Sequence, residues 1–198
     1  MRHQYRNPYA ALLWGALVAL ATQCAPDADE HFRKGQTYIE ISDWDAAAPE
    51  LEKAVAKDST NLVGWYNLAQ CYTNMQEIDK AVGAYERLVT LDPTHQYALA
   101  NLGVMYSGME RLDDAERVLQ KCMTLYPQFG QPYVNLGTIS AKRGDWDKAF
   151  YYFKEAQRRG VNEPQLEQQI QLARDIVQGR IPAPVYRMVA PDSAEATP

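Results

Sequence analysis

Hydrophobic and polar positions in this chain recur with a period of thirty-four residues between about residue 28 and residue 163. Large apolar residues, leucines and alanines each form a series at this interval: Trp65, Leu99 and Tyr133; Leu68, Leu102 and Leu136; Ala47, Ala81, Ala115 and Ala149. Self-similarity at a fixed period of this length is the signature of a repeat architecture. The pattern therefore divides the chain into four units, at 28–61, 62–95, 96–129 and 130–163.

The second unit carries the fullest set of recurring residues: Trp65, Leu68, Ala69, Tyr72, Ala81, Tyr85 and Pro93. These residues fall on the positions W-x2-L-G-x2-Y…A-x3-F…P, so the chain resembles the tetratricopeptide-repeat (TPR) family. The resemblance implies an all-α fold, a right-handed α-solenoid of about four TPR helix pairs followed by a C-terminal capping helix. It also implies that the protein binds another protein.

Small residues recur where the first helix of each unit is expected to cross the second, at Gly35, Ala69, Gly103 and Gly137. A larger side chain at this position would push the two helices apart. Pro93 and Pro127 are expected to end second helices, because proline cannot continue a helix interior.

The first unit departs from the pattern at His31 and Lys34, where the family prefers a large aromatic residue and a leucine. Polar substitution is expected in a terminal repeat, because one of its faces has no neighbour. We therefore expect His31 to be a surface or half-buried polar residue.

A closing helix is predicted at 164–179, because Leu166, Ile170, Ala173 and Val177 recur on one helical face. Asn162 is expected to cap its N-terminus and Gly179 to end it. Residues 180–198 contain four prolines in nineteen residues, which predicts an extended or disordered Pro-rich tail.

The N-terminal residues have the pattern of an export signal. Residues 1–8 contain two arginines and no acidic residue, and residues 9–21 then run without a charge. A basic lead followed by a short apolar stretch is typical of a secretory signal peptide. Ala21-Thr22-Gln23-Cys24 resembles a bacterial lipobox, although Gln23 and Ala21 replace the usual small residue and leucine. We therefore predict a lipoprotein-type signal at 1–23, lipidation of Cys24 and a tether at 24–27.

Other outcomes remain open for this segment. Ala19-Leu20-Ala21 also suits ordinary signal peptidase, which would cut before Thr22 and release a soluble secreted protein. An uncleaved anchor and a cytoplasmic protein are further alternatives. If Cys24 is acylated, two acyl chains would hold the protein on a membrane without a spanning helix.

The first helix of each unit lines the concave side of a helical-pair solenoid. The resemblance places the partner-binding positions at Tyr66, Asn67, Gln70, Asn74, Tyr97, Asn101, Gln131, Asn135 and Lys142. Asn67, Asn101 and Asn135 among these are spaced by thirty-four residues and so occupy the same position in successive repeats. An amide both donates and accepts hydrogen bonds. Rows of asparagine at this position hold extended peptide backbones in some TPR proteins. The alternative interpretation is that asparagine is simply common at this position of the consensus.

Charge and motif content limit the function classes. The formal net charge is −5 and the basic residues are scattered, which argues against nucleic acid as a partner. The sequence contains no H-E-x-x-H, G-x-S-x-G or G-x4-G-K-[ST] motif. We therefore predict no catalytic residue, cofactor or metal, and Cys71 and Cys122 are expected to be small core hydrophobes.

The sequence thus predicts a non-catalytic scaffold or adaptor that binds a peptide or a partner protein. The resemblance to bacterial TPR-containing envelope lipoproteins implies a role in pilus, outer-membrane or wall machinery. An accessory subunit that recruits or regulates an envelope enzyme, such as a peptidase or wall hydrolase, is the alternative. The partner and the oligomeric state remain open.

Overall fold

A computed structural model of the chain describes residues 27–184, and within this range it contains nine α-helices and no strand. The helices are α1 Ala28–Glu40, α2 Trp44–Lys57, α3 Leu62–Asn74, α4 Ile78–Leu91, α5 Gln96–Gly108, α6 Leu112–Leu125, α7 Gln131–Lys142, α8 Trp146–Arg158 and α9 Pro164–Val177. The predicted all-α class is confirmed. The predicted signal, Cys24 and the tail beyond residue 184 lie outside the described residues.

The helices fall into two compact units, one containing α1–α3 and the other α4–α9. The boundary between them follows Met75, inside the second predicted repeat. In the first unit α1 packs on α2, and α2 packs on α3. In the second unit, each helix from α4 to α8 packs on the helix that follows it in the chain.

Close helix crossings explain the series of small residues. A Cβ atom added at Gly103 would lie 2.5 Å from Leu119, and one added at Gly137 would lie 2.5 Å from Phe153. In the first unit, a Cβ at Gly35 would lie 2.7 Å from Leu51. Side chains at these distances would overlap, so glycine sets how closely the two helices of a pair approach.

His31 is buried rather than exposed or half-buried, which corrects the prediction from its polar character. Only 8% of the residue is accessible, and its Nδ1 lies 2.6 Å from Oε2 of Glu50 on α2. A buried polar group needs a hydrogen-bond partner, and Glu50 supplies one. Hydrogen bonds from Lys53 and from His31, in that order of effect, lower the pKa of Glu50 to about 2.

The closing helix α9 packs its apolar side on α8. Leu166, Ile170 and Ala173 are buried there with Trp146 and Phe153. Val177, predicted on the same face, is 42% exposed, because it lies in the last turn, where less of the neighbouring helix covers it.

Both ends of α9 are defined by particular residues. The prediction that Asn162 is the N-cap is wrong. Glu163 takes that position and makes no side-chain cap hydrogen bond. Pro164 is the first helical residue, where its missing N–H has no intrahelical partner to lose. Gly179 ends the helix as predicted, with a φ of +68°. Its N–H donates to Ile176 O, and that of Arg180 donates to Asp175 O, which is a Schellman motif.

Pro93 and Pro127 each follow a second helix by two residues, since α4 ends at Leu91 and α6 ends at Leu125. Cys71 and Cys122 are fully buried free thiols, which confirms their assignment to the core. Burial raises the pKa of both thiols to about 11, so they stay protonated at neutral pH.

Candidate functional site

Two first helices of the repeat pattern, α5 and α7, lie in direct contact within the α4–α9 unit. Their buried sides hold Leu102 and Gly103 on α5 and Leu136 and Gly137 on α7. Side chains at the predicted partner-binding positions remain at least partly exposed. We call this surface the α5–α7 face and define it by Tyr97, Asn101, Val104, Gln131, Asn135 and Thr138.

The face offers both apolar area and hydrogen-bonding groups. Tyr97 is 56% exposed and Val104 is 39% exposed. The Tyr97 ring packs edge-on against Phe129, with ring centroids 5.8 Å apart, which fixes the position of this tyrosine. Asn101, Gln131 and Asn135 are partly exposed residues with amide side chains. This combination suits a segment of polypeptide, which has both backbone polar groups and side chains to bind.

The two asparagines of this face are held differently. Asn101 donates from Nδ2 to the hydroxyl of Tyr85 at 3.0 Å. Tyr85 precedes Asn101 by 16 residues in the sequence. The residue at the same separation before Asn135 is Leu119, whose side chain has no hydrogen-bonding group. Correspondingly, Nδ2 of Asn135 is buried without a hydrogen-bond partner among the described residues. Equal positions in the repeat therefore do not give equal hydrogen bonding.

Lys142, also predicted to bind a partner, is engaged by the neighbouring repeat. Its Nζ donates to Ser107 O at 3.0 Å and to Oε1 of Glu110 at 2.8 Å. Ser107 lies in the last turn of α5, where the carbonyl groups lack intrahelical partners and attract a cation. Lys142 thus joins the end of α7 to the end of α5.

The remaining predicted residues belong to α3 in the other unit. Tyr66, Asn67 and Gln70 are partly exposed, and Asn74 is exposed. Asn74 donates from Nδ2 to Gln70 O at 2.9 Å, a contact within its own helix. These four residues share one helix, and their role in binding stays a prediction.

A pocket beside the α5–α7 face was not predicted from the sequence. It has a volume of about 190 Å³ and lies between α7, α8 and α9. Its lining residues are Thr138, Ala141, Lys142, Trp146, Phe153, Gln169 and Leu172. A signal for it exists in the sequence, because Gln169 follows Asn135 by thirty-four residues and continues the series of amides onto the closing helix.

Two searches of the described residues concern other kinds of site. Within residues 27–184, no group of three or more His, Cys, Asp or Glu side chains is arranged to hold a metal ion. None of the helices formed by this part of the chain is both long enough and apolar enough to cross a membrane.

Comparison with known protein families identifies the repeat. Two family models, each described as a tetratricopeptide repeat, match residues 38–102 and 96–126. The chain contains tetratricopeptide repeats. TPR proteins bind partner proteins or peptides and are generally non-catalytic interaction scaffolds. A comparison with curated proteins gives no match.

Solved TPR-type structures share the fold. A crystal structure of the MamA protein superposes with a TM-score of 0.71 at 22% identity, covering 77% of this chain and 82% of that one. MamA from Desulfovibrio magneticus RS-1 gives 0.71 at 15% identity, covering 78% and 87%. PilF of Pseudomonas aeruginosa gives 0.66 at 22% identity, covering 77% and 69%. At these identities the likeness shows the helical-repeat fold alone.

Proposed function

We propose that this protein is a non-catalytic scaffold that binds an extended segment of a partner protein on the α5–α7 face. The observation that carries the proposal is the contact between α5 and α7, which brings exposed Tyr97 onto one face with three partly exposed residues that carry amides, Asn101, Gln131 and Asn135. The amides match backbone C=O and N–H groups whatever the partner's side chains are. The partly exposed side of α3, with Asn67 and Gln70, is proposed to act in the same way.

We further propose that the protein works in a bacterial cell envelope, held on a membrane by an acylated Cys24. The sequence supports this with two arginines, an uncharged run at 9–21 and one cysteine at the end of that run. PilF and MamA, as structural neighbours, are compatible with a scaffold role. The mass of the mature N-terminus tests the anchor: acylated Cys24 is expected. An intact Met1 or a chain that begins at Thr22 would refute it.

Photocrosslinking tests the binding face with two matched tyrosines. Tyr97 on the face is 56% exposed and Tyr151 on α8 is 57% exposed, so replacing either by a benzophenone amino acid disturbs the fold little. Irradiation in intact cells is expected to give protein adducts at position 97 and few at position 151. Equal yields at both positions, or adducts at 151 alone, would contradict the proposed face.

A test of Asn101 needs a control for the hydrogen bond that its amide makes to Tyr85. Asn101→Ala removes both the exposed amide and its bond to Tyr85, whereas Tyr85→Phe removes only the bond. We expect the crosslinked partner to be lost in Asn101→Ala and retained in Tyr85→Phe. If the two variants behave alike, Asn101 has only a structural role. Asn162→Ala, at an exposed asparagine in the turn before α9, serves as a control for amide loss elsewhere.

A further inference from the structure

The two helices that form the α5–α7 face carry almost no charge. The 13 residues of α5 and the 12 residues of α7 include one charged side chain, that of Lys142. Five charged residues occur in each of the second helices that pair with them, α6 (LDDAERVLQKCMTL) and α8 (WDKAFYYFKEAQR). The charge of Lys142 is compensated within the fold, because its Nζ lies 2.8 Å from Oε1 of Glu110. A partner on this face therefore meets amides, hydroxyls and apolar groups, with no uncompensated charge from α5 or α7.

This lack of charge limits which side chains a partner can bring to the face. A charged side chain would lose its water there without gaining a countercharge, and burial of an unpaired charge is costly. Uncharged polar groups lose less, because amides can both donate hydrogen bonds to them and accept hydrogen bonds from them. The cores of protein interfaces are depleted of charged residues in the same way. The face therefore favours a segment with uncharged side chains.

The pocket between α7, α8 and α9 continues this face, because Thr138 belongs to both. It is mainly apolar: Trp146 and Phe153, which line it, are buried, and Leu172 is 41% exposed. Its volume of about 190 Å³ exceeds the ~150 Å³ of apolar cavities that accommodate a benzene ring. It can therefore take one aliphatic or aromatic side chain. Burial of that side chain is favourable, because apolar surface on both partners leaves water.

The polar surroundings of the pocket resemble those of the face. Gln169 is partly exposed, lines the pocket and follows Asn135 by thirty-four residues. The charged residues of α9 are not among the residues that line the pocket; they are Glu167, Arg174 and Asp175. An amide thus accompanies the apolar pocket, as amides accompany the exposed apolar side chains of the face.

We propose that the partner segment on the α5–α7 face is uncharged and inserts one large apolar side chain into the pocket between α7, α8 and α9. This inference rests on the proposed function and specifies which partners the face accepts. Packed helices stand about 8–10 Å apart and an extended chain advances ~3.3 Å per residue, so about three residues span one helix spacing. The side chain in the pocket anchors the segment, and the uncharged residues beside it lie against the amides.

Substitutions in the pocket test the anchor, with the benzophenone amino acid kept at position 97 as the reporter. Leu172 and Val177 lie on the same helix and are 41% and 42% exposed, but only Leu172 lines the pocket. We expect Leu172→Glu to lower the yield of the partner adduct at least about tenfold and Val177→Glu to leave it unchanged. An adduct that survives Leu172→Glu overturns the inference and leaves the proposed function standing. Absence of any adduct in the wild type overturns both.

Charges of opposite sign on the face test whether the segment is uncharged. Val104 is 39% exposed, and Val104→Gln supplies a neutral control of similar length to the charged variants. Against that control, Val104→Glu and Val104→Lys are each expected to lower the adduct yield at least about threefold, because neither charge finds a countercharge. A loss with one sign and a gain with the other would show that the segment is charged, and would overturn the inference.

The crosslinked segment supplies a direct probe once mass spectrometry has identified it. We expect a large apolar residue with no Asp, Glu, Lys or Arg within three positions of it. A synthetic peptide of this segment should bind the purified protein with affinities that differ less than about twofold between 50 mM and 500 mM NaCl, because salt screens only charged groups. Alanine in place of the large apolar residue should weaken binding at least about tenfold. A salt-dependent affinity, an alanine peptide that binds equally well, or an adduct with a second copy of this chain overturns the inference.

Discussion

The junction between α4 and α5 and the junction between α6 and α7 join successive repeats within the same unit, but their chemistry differs. At the first, the hydroxyl of Tyr106 donates to Oε1 of Glu86 at 2.6 Å. At the second, the guanidinium of Arg143 on the C-terminal side of α7 pairs with Asp113 and Glu116 on α6. One junction uses a buried neutral phenol and the other uses a partly exposed cation.

The thirty-four-residue register explains the difference. Tyr72 donates its hydroxyl to Glu52 in the α1–α3 unit, and Tyr106 and Glu86 occupy the same two positions one repeat later. One repeat further on, the tyrosine position is held by Ser140, whose hydroxyl donates to Leu136 O within α7 at 2.8 Å. A serine cannot span the gap between repeats, so the α6–α7 junction depends on other residues.

The comparison shows that a repeat can keep its backbone spacing while the side chains that join neighbouring repeats are replaced. A phenol buried between helices contributes packing as well as a hydrogen bond. Partly exposed ion pairs contribute little packing and are screened by salt. We therefore expect the two junctions to respond differently to truncation, to pH and to ionic strength.

Truncation at the tyrosine position should have the largest effect. Tyr106 is only 6% exposed, so Tyr106→Ala is expected to lower the free energy of unfolding by about 3–5 kcal/mol, as for other buried aromatic residues. Ser140→Ala, at the same repeat position, should cost less than about 1 kcal/mol, because only a short hydroxyl is lost. Urea denaturation measures both. Similar losses for the two variants would show that the junctions do not differ in packing.

Removal of the hydroxyl alone should have a smaller effect. Tyr106→Phe is expected to cost about 2 kcal/mol, because hydrogen bonds to charged groups contribute ~1.5–3 kcal/mol. A double-mutant cycle with Glu86→Gln should give a coupling energy of about 1 kcal/mol. Tyr151→Phe, at a 57% exposed tyrosine, serves as the control and should change stability little. A coupling energy near zero would show that the hydrogen bond between Tyr106 and Glu86 does not contribute to stability.

Alkaline pH should weaken the first junction selectively. Burial, and then the hydrogen bond with Glu86, raises the pKa of Tyr106 to about 12. An unfolded tyrosine ionises near pH 10, so the folded state retains this proton more strongly. Its stabilising contribution is thus complete below pH 10 and is lost as the pH rises from 10 to 12.

The stability difference between wild type and Tyr106→Phe should therefore shrink over that interval. Urea denaturation at stepped pH measures the difference, and phenolate absorbance of the wild type minus that of the variant reports the titration of Tyr106 itself. A difference that stays constant up to pH 12 would contradict the expectation.

Ionic strength should affect the second junction, with the smallest change of the series. Arg143→Ala is expected to cost about 0.5–1 kcal/mol at low salt, because its side chain is 35% exposed. In 1 M salt the screening length falls to about 3 Å, and the cost should fall by about half. Thermal unfolding in 20 mM and 1 M NaCl measures this. Arg117→Ala, whose pair with Asp114 lies within α6, is the matched control; equal effects of the two variants would deny Arg143 a role at the junction.

Much of the fold follows from the sequence because a backbone constraint acts at each repeat. The close approach at Gly103 and Gly137 permits no larger side chain, so the small residues recur with the fold and mark the helix crossings. Prolines act in a similar way, since they cannot continue a helix. Such constraints are local to a position and can be recognised without a structure.

The hydrogen-bond partners of side chains were harder to predict. The burial of His31 depends on Glu50, nineteen residues away on another helix. Lys142 was expected to face a partner, but its long side chain reaches back to Ser107 and Glu110 in the previous repeat. The start of α9 at Pro164 also displaced the cap from Asn162, because the proline takes the first helical position. The contacts of His31 and Lys142 depend on the spacing between elements, which the repeat period alone does not specify.

The register also sets a limit on how many helix pairs can stack in series. Gln171 on α9 follows Gly137 by thirty-four residues and stands at the position where the four repeats have a small crossing residue, glycine or alanine. Its amide is already bonded to Asp175 and Arg174. A further second helix cannot approach α9 as α8 approaches α7, so α9 ends the series sterically as well as by its polar surface. An engineer who wished to lengthen this scaffold would need to begin at Gln171→Gly before adding another repeat.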